Sequence, residues 1–214
     1  MDDAASFWDR LLAAPMLPWG RGASPAVALL AARLPAGAAV LVPGCGYGRN
    51  ARALARRGFT VTAYDYAPAA IARARAEFTD PRVRYLVADA ADVPAGAYEG
   101  IFCHFLLHLF PAAARRRLVA ALAAALAPGG LLLASGLSTR CAFFGSGTEL
   151  EPDTWSNPGW VPIHFYTAAT LAAELAPLTI LSAVEADEPE DKPEGQVLTP
   201  AVYALAQRPG GAHL

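Results

Sequence analysis

Apolar and polar positions along this chain switch repeatedly between a strand-like and a helix-like period. Val40-Leu41-Val42 is a short apolar run that leads into Pro43-Gly44-Cys45-Gly46-Tyr47-Gly48. Residues 49–57 then hold their apolar positions at helical spacing, and Gly58 supplies a C-terminal stop. The pairing repeats. Residues 59–64 form a second strand closing on Asp65, and Pro68 opens a helix to about Phe78 with Ile71, Ala74 and Phe78 on one face. Residues 83–87 make a third strand closing on Asp89, and residues 100–103 a fourth, preceded by Tyr98-Glu99. A helix from Pro111 to Leu126 is ended by Ala127-Pro128-Gly129-Gly130, and residues 131–135 form the fifth strand. Strands alternating with helices predict a doubly wound α/β domain, a mostly parallel sheet with helices on both faces. The right-handed crossover rule fixes the hand of each unit. Ligands in such sheets lie beyond the carboxyl ends of the strands, here at Gly44 to Gly48, Asp65, Asp89 and Cys103-His104.

The two ends of the chain break this rhythm. Residues 1–23 are rich in aromatics (Phe7, Trp8 and Pro18-Trp19-Gly20-Arg21-Gly22), with a short amphipathic helix expected over 6–14 and Ser6 as its cap. Ser24-Pro25 has the form of a helix N-cap and first helical residue, and Pro35 and Gly37 stop that helix. Residues 139–162 show no period and carry Phe143, Phe144, Trp155 and Trp160, the pattern of a long functional loop or lid. A helix over 167–175 capped by Thr167 follows, then strands at 178–184 and 202–206. The acidic stretch 185–194 between them is expected to be solvated. The expectation is one domain over 1–214: a lid and first helix (1–36), a ligand-binding core (38–138), an active-site loop (139–166) and a final helix with two strands (167–214).

Composition narrows the class. With 55% hydrophobic and 17% charged residues, 214 residues can bury a globular core. No stretch of about 18 apolar residues runs uninterrupted, so no membrane span is expected. Met1-Asp2-Asp3 lacks a signal-peptide layout, and the expected location is cytoplasmic. The net charge is −2, and Arg115-Arg116-Arg117 and Arg49, Arg52, Arg56 and Arg57 are expected as solvated helix faces rather than a nucleic-acid surface. Cys45, Cys103 and Cys141 stand alone, which argues against a zinc site or a disulfide framework. No metal site is expected.

The chemistry follows from spacing. A dinucleotide fingerprint needs G-x-G-x-x-G, and the position that should complete it is Arg49. Glycines at 44, 46 and 48 instead suit a ligand without a pyrophosphate, whose chain passes over the glycine backbone. Asp65 ends a strand 21 residues after Gly44 (65 − 44), where a carboxylate can accept from both hydroxyls of a ribose; it can equally cap the next helix. Asp89 can accept from an exocyclic amine, with Ala90 leaving room for a ring.

These motifs, in this order, resemble the class I S-adenosylmethionine-dependent methyltransferases, over about residues 38–138. The resemblance implies a Rossmann-like seven-stranded sheet whose last strand is antiparallel, and S-adenosylmethionine as cofactor. It places the methionine part on Gly44, Cys45, Gly46 and Gly48, the ribose on Asp65 beside Tyr66, and adenine on Asp89-Ala90. The segment Cys103-His104 to Leu109 would line the methyl-transfer site. One position departs: most of the family carries an acid two residues before the first glycine, where this chain has Val42. Thiopurine- and thiol-methyltransferase-like branches share that loss and carry an N-terminal segment that Pro18-Trp19-Gly20-Arg21-Gly22 resembles, which adds Trp19 and Arg21 to the cofactor residues. Gly48-Arg49-Asn50 is closer to the tellurite-resistance type, and adds Asn50. The implied activity is methyl transfer to sulfur, nitrogen or oxygen of a small molecule, in a monomer or homodimer. His104, His108, His164 and Tyr166 are the candidates for a catalytic base. The alternative is a cofactor-binding module without catalysis.

Overall fold

The computed structural model of the chain describes residues 4–14, 17–192 and 195–210. In chain order the elements are α1 (Ala4–Ala13), α2 (Ala26–Ala31), β1 (Ala39–Pro43), α3 (Arg49–Ala55), β2 (Thr60–Asp65), α4 (Pro68–Glu77), β3 (Val83–Val87) and β4 (Tyr98–His104). They continue through a 3-10 turn (Leu107–Leu109), α5 (Ala112–Ala125), β5 (Leu126–Leu137), β6 (Thr148–Glu151), β7 (Thr154–Ser156), β8 (Ile163–His164), α6 (Ala168–Glu174), β9 (Thr179–Lys192) and β10 (Gly195–Gln207). Seven strands form one sheet in the order β3-β2-β1-β4-β5-β10-β9, and only β10 runs against its neighbours. The expected sheet, with an antiparallel final strand, is therefore what the chain builds.

Each face of the sheet buries its own apolar layer. Val40, Val42, Phe102, Leu133 and Tyr203 point to one side and pack under α2, α3 and α4. Leu41, Ile101, Cys103, Leu132 and Val202 point to the other and pack under α5 and α6. This division is the period-2 alternation of strand side chains. The central strands are buried on both faces, which is why their sequences are almost wholly apolar.

Local signals explain the ends of several elements. The Ser24 hydroxyl accepts from the Ala26 N–H at 3.1 Å, so it caps α2 as expected. Thr167 and Thr170 form a reciprocal capping box at α6. Ser6 lies inside α1, which begins at Ala4, so it is not the cap. Residues 139–162 are not structureless: β6 and β7 form a hairpin across Pro152-Asp153, and β8 completes a separate three-stranded sheet. Asp153 takes φ +59, which suits the position after proline in a tight turn. The acidic stretch is also not a solvated linker. Residues 185–192 are the outer part of β9 in a long β9–β10 pair and carry Glu188 and Glu190 to buried positions, while 193 and 194 lie outside the described residues.

Candidate active site

The crevice lies at the carboxyl ends of β1, β2 and β4. Gly44, Gly46 and Gly48 all take left-handed backbone angles (φ +59, +53 and +87), which L side chains rarely adopt. A Cβ on Gly44 would lie 2.7 Å from Leu106, and one on Gly48 2.5 Å from the Tyr85 hydroxyl. Gly46 is different: a Cβ there would meet nothing closer than Leu12 at 4.0 Å. The outer two glycines are needed by the fold, while the middle one leaves its backbone open.

Asp65 anchors this turn. One carboxylate oxygen accepts from the Gly46 N–H at 2.9 Å, and the other from the Ala67 N–H at 3.0 Å at the start of α4. Asp65 thus ties the glycine turn to the residue that precedes α4, and the Tyr66 N–H is a further backbone donor to it. Burial raises its pKa, and the backbone N–H groups partly offset that. Beyond β3, Asp89 is exposed and accepts from the Ala91 N–H at 2.9 Å, while the Tyr64 hydroxyl donates to the Ala90 carbonyl. Tyr66 is half-buried directly after Asp65. Cys45 is half-buried in the glycine turn, and burial followed by the Asp65 charge holds its thiol well above the ordinary range.

Strand alternation separates Cys103 from His104. The Cys103 thiol faces the α5 side, fully buried, and burial pushes its pKa up to about 12. Its side chain belongs to the core and lies away from the crevice. His104 faces the α3 side, stacks on Phe102, and shares a 2.7 Å hydrogen bond between Nδ1 and the Ser135 hydroxyl. The next residue, Phe105, takes φ +51, a strained angle for a non-glycine residue and one that collects at functional sites. Its ring contacts both His104 and His108 edge-on.

The His164 and Tyr166 rings meet edge-on, 4.5 Å between centroids. His108 and His164 are buried near one another; burial lowers their pKa values to about 3 and about 4, and His164 Nδ1 is bonded to the Thr154 hydroxyl. Tyr166 is corrected to a structural residue: fully buried on the α5 side, it donates its hydroxyl to Glu174, which also pairs with Arg115. Arg21 is likewise corrected. Its side chain is 63% exposed, bonded to Glu77 of α4 and laid over Phe78. Asn50 accepts from the Ser24 N–H and ties the N-terminal segment to α3. Trp19 stacks on Tyr47, and its backbone N–H donates to that hydroxyl. It packs behind the glycine turn with Trp8 and Phe78 rather than free in the crevice.

Three segments come together near the glycine turn. Phe7 of α1 meets Trp160 from the small sheet at 5.9 Å between rings. Phe105, Phe144 and Trp155 pack around buried Leu137, Cys141 and Phe165 beside that sheet. Asp191 of β9 lies on residues 20–22, where a Cβ on Gly20 would sit 2.7 Å from its Cβ. The hairpin brings in a cluster that the sequence reading missed. Cross-strand register sets His104, Ser135 and Tyr203 side by side, and the Tyr203 hydroxyl donates to buried Glu188. The usable signal was the i, i+2 placement of Glu188 and Glu190 in a stretch that otherwise looks uniformly charged.

Sheet order, the glycine turn after β1 and the carboxylate closing β2 together define a doubly wound, Rossmann-like core. In the comparison with families, residues 40–130 match the model of the methyltransferase domain family. A ubiquinone biosynthesis O-methyltransferase of Xanthomonas axonopodis pv. citri is 36% identical over 121 residues, 54% of this chain. The chain spans about half (50%) of the length of that curated relative. Among solved structures, one described for the conversion of a disulfide bond into a thioacetal during echinomycin biosynthesis has a TM-score of 0.75 at 23% identity, covering 98% of this chain and 91% of its own. The N-methyltransferase NodS of Bradyrhizobium japonicum, solved with S-adenosylhomocysteine, has a TM-score of 0.71 at 19% identity, covering 97% of this chain and 100% of its own. At these identities the structural likeness establishes the fold.

Proposed function

We propose that this chain binds S-adenosylmethionine across the carboxyl ends of β1 to β4 and transfers its methyl group to a sulfur, nitrogen or oxygen of a small molecule. The observation that carries the reading is the glycine turn: three left-handed glycines held open by the buried Asp65 carboxylate. The residues fit the cofactor. Gly46 leaves open space beside its backbone for the methionine chain, the Asp65 carboxylate can accept from a ribose hydroxyl, and Asp89 with the Ala90 backbone can edge an adenine. The bound cofactor supplies a methyl already made electrophilic by its sulfonium.

The protein's share is then alignment and exclusion of water. Alignment can supply up to about 7–11 kcal/mol of a barrier. Phe105, Phe144, Trp155 and Trp160 form an aromatic cover that suits a compact, apolar or aromatic acceptor. His104, His108 and His164 all have depressed pKa values and are neutral at pH 7, caused first by burial. They are weak bases, which favours an acceptor that needs little help losing a proton. Soft or already neutral nucleophiles meet that condition.

Two measurements test the proposal. Calorimetric titration should show S-adenosylhomocysteine binding, and its absence would sink the cofactor reading. A panel of thiols, phenols, amines and iodide should then yield S-adenosylhomocysteine with at least one member. Binding with no turnover across the panel would favour the cofactor-binding module instead.

A further inference from the structure

We propose that the Glu188 carboxylate and the His104 imidazole form a binding site for an ammonium group at the methionine end of the crevice. The proposal rests on the cofactor reading above and adds a residue to it that lies far outside the glycine motif.

Among the described residues, only four buried side-chain polar atoms lack a hydrogen-bond partner, and two of them face each other here. Glu188 Oε1 and His104 Nε2 are 3.6 Å apart, too far for a hydrogen bond between them. Both side chains are more than nine-tenths buried, at 1% and 7% exposed. A buried polar atom left unpaired is costly, so two aimed at one point indicate a missing partner. That partner should be a donor. Glu188 Oε1 can only accept when ionised, and His104 Nε2 accepts when its Nδ1–H donates to Ser135. A nitrogen about 2.8 Å from each atom closes the triangle, and an ammonium has donors for both.

The charge of the surroundings agrees. Glu188 Oε2 is held by the Tyr203 hydroxyl, and Ser24 hydrogen-bonds the same carboxylate. Arg49 and Glu190 lie near enough to act on Glu188 electrostatically, one favouring and one opposing its charge. Burial raises the Glu188 pKa, so the carboxylate gains from a cation bound beside it, and neutral His104 adds no competing positive charge. Strand β1 offers no acid of its own here: Val42 is buried in the apolar layer with Phe102 and Tyr203. The hairpin supplies from β9 the carboxylate that β1 lacks. An ammonium can come from the amino-acid end of the cofactor or from an amine acceptor, and binding separates the two.

The test is a calorimetric cycle using wild type and Glu188→Gln with S-adenosylhomocysteine and its des-amino analogue, S-adenosyl-4-thiobutyrate. The expected result is at least a tenfold loss of S-adenosylhomocysteine affinity in E188Q, with the des-amino analogue binding both proteins equally. If S-adenosylhomocysteine is unaffected, phenethylamine titrated into protein saturated with the analogue is the second arm. Loss of its binding in E188Q assigns the ammonium to the acceptor. Equal binding of every ligand by both proteins overturns the site while leaving the cofactor reading intact, whereas a wild type that binds neither nucleoside overturns both. Should E188Q not fold, Glu188→Asp keeps the charge one methylene back, and it should give a smaller loss confined to the amino-bearing ligand.

Discussion

Asp65 holds two backbone donors at once, and its removal should be visible in stability before any ligand is added. Asp65→Ala strands the Gly46 and Ala67 N–H groups, which the carboxylate now holds at 2.9 and 3.0 Å. Each buried orphan donor costs about 1–3 kcal/mol, so the pair costs about 2–6 kcal/mol. For a chain of this size 1 kcal/mol moves the midpoint by about 2–4 °C, so melting should fall by roughly 4–24 °C. Asp65→Asn should be milder. Its amide oxygen keeps one N–H, only the other donor faces an NH2, and the charge that burial opposes is gone. About half the loss is expected, roughly 1–3 kcal/mol. Differential scanning fluorimetry on the three proteins decides the matter. An Asp65→Ala variant melting within 2 °C of wild type, to take about the smallest resolvable shift, would falsify the anchoring role; so would an Asp65→Asn variant melting no higher than the alanine. Both variants should also bind S-adenosylhomocysteine more weakly, by about 1.5–3 kcal/mol or roughly 10- to 150-fold, if the carboxylate serves a ribose.

Three further outcomes are expected. Gly48→Ala should destabilise far more than Gly58→Ala in urea titrations: both are left-handed, but only the first drives a Cβ to 2.5 Å from the Tyr85 hydroxyl, whereas nothing lies near the second. At Gly58 only the backbone strain of about 1–2 kcal/mol should appear. Tyr203→Phe removes a donor from buried Glu188 and should cost about 1–3 kcal/mol by the same titration. The buried histidines set a pH dependence. Unfolded, they take up protons near pH 6.5, but folded, His164 and His108 resist until about 4 and about 3. The stability they contribute is complete above about pH 6.5 and is lost as pH falls from there toward those values, by at most about 1.4 kcal/mol per pH unit per histidine. Urea midpoints at pH 7.5 and 5 should show the fall, and His108→Gln should reduce it.

What the sequence disclosed follows from where the information is local. Strand and helix periods, the left-handed requirement at Gly44 and Gly48, and proline or threonine at helix starts all act within a few residues. Those elements are found close to where the pattern puts them. Side-chain roles set by partners far along the chain were not local. Arg21 and Glu77 are 56 residues apart, so nothing beside Arg21 announced that its charge was taken. Tyr166 looked available until α6 folded back to place Glu174 at its hydroxyl. Cys103 and His104 are adjacent in sequence yet lie on opposite faces of the sheet, a division visible only once β4 is known to be buried on both sides.

The β9–β10 hairpin shows why composition misleads where an element crosses from sheet to site. An acidic run normally stays in water because burying each charge is expensive. Here Glu185 and Asp187 do so in effect, pairing with exposed Arg140, while Glu188 turns inward to Tyr203. Period 2 sorts the acids of one strand into a solvated set and a buried set. The buried set ends at the crevice because the hairpin overruns the sheet and rests on Gly20 and Gly22. Those two glycines, the aromatic pair Phe7 and Trp160, and Phe105 beside the small sheet bring three separate segments together near one glycine turn. Acceptor choice in such a site depends on how those segments fit together. On the function proposed above, substitutions there should change which acceptor is used while leaving the end of the crevice built from β1 to β3 unaltered.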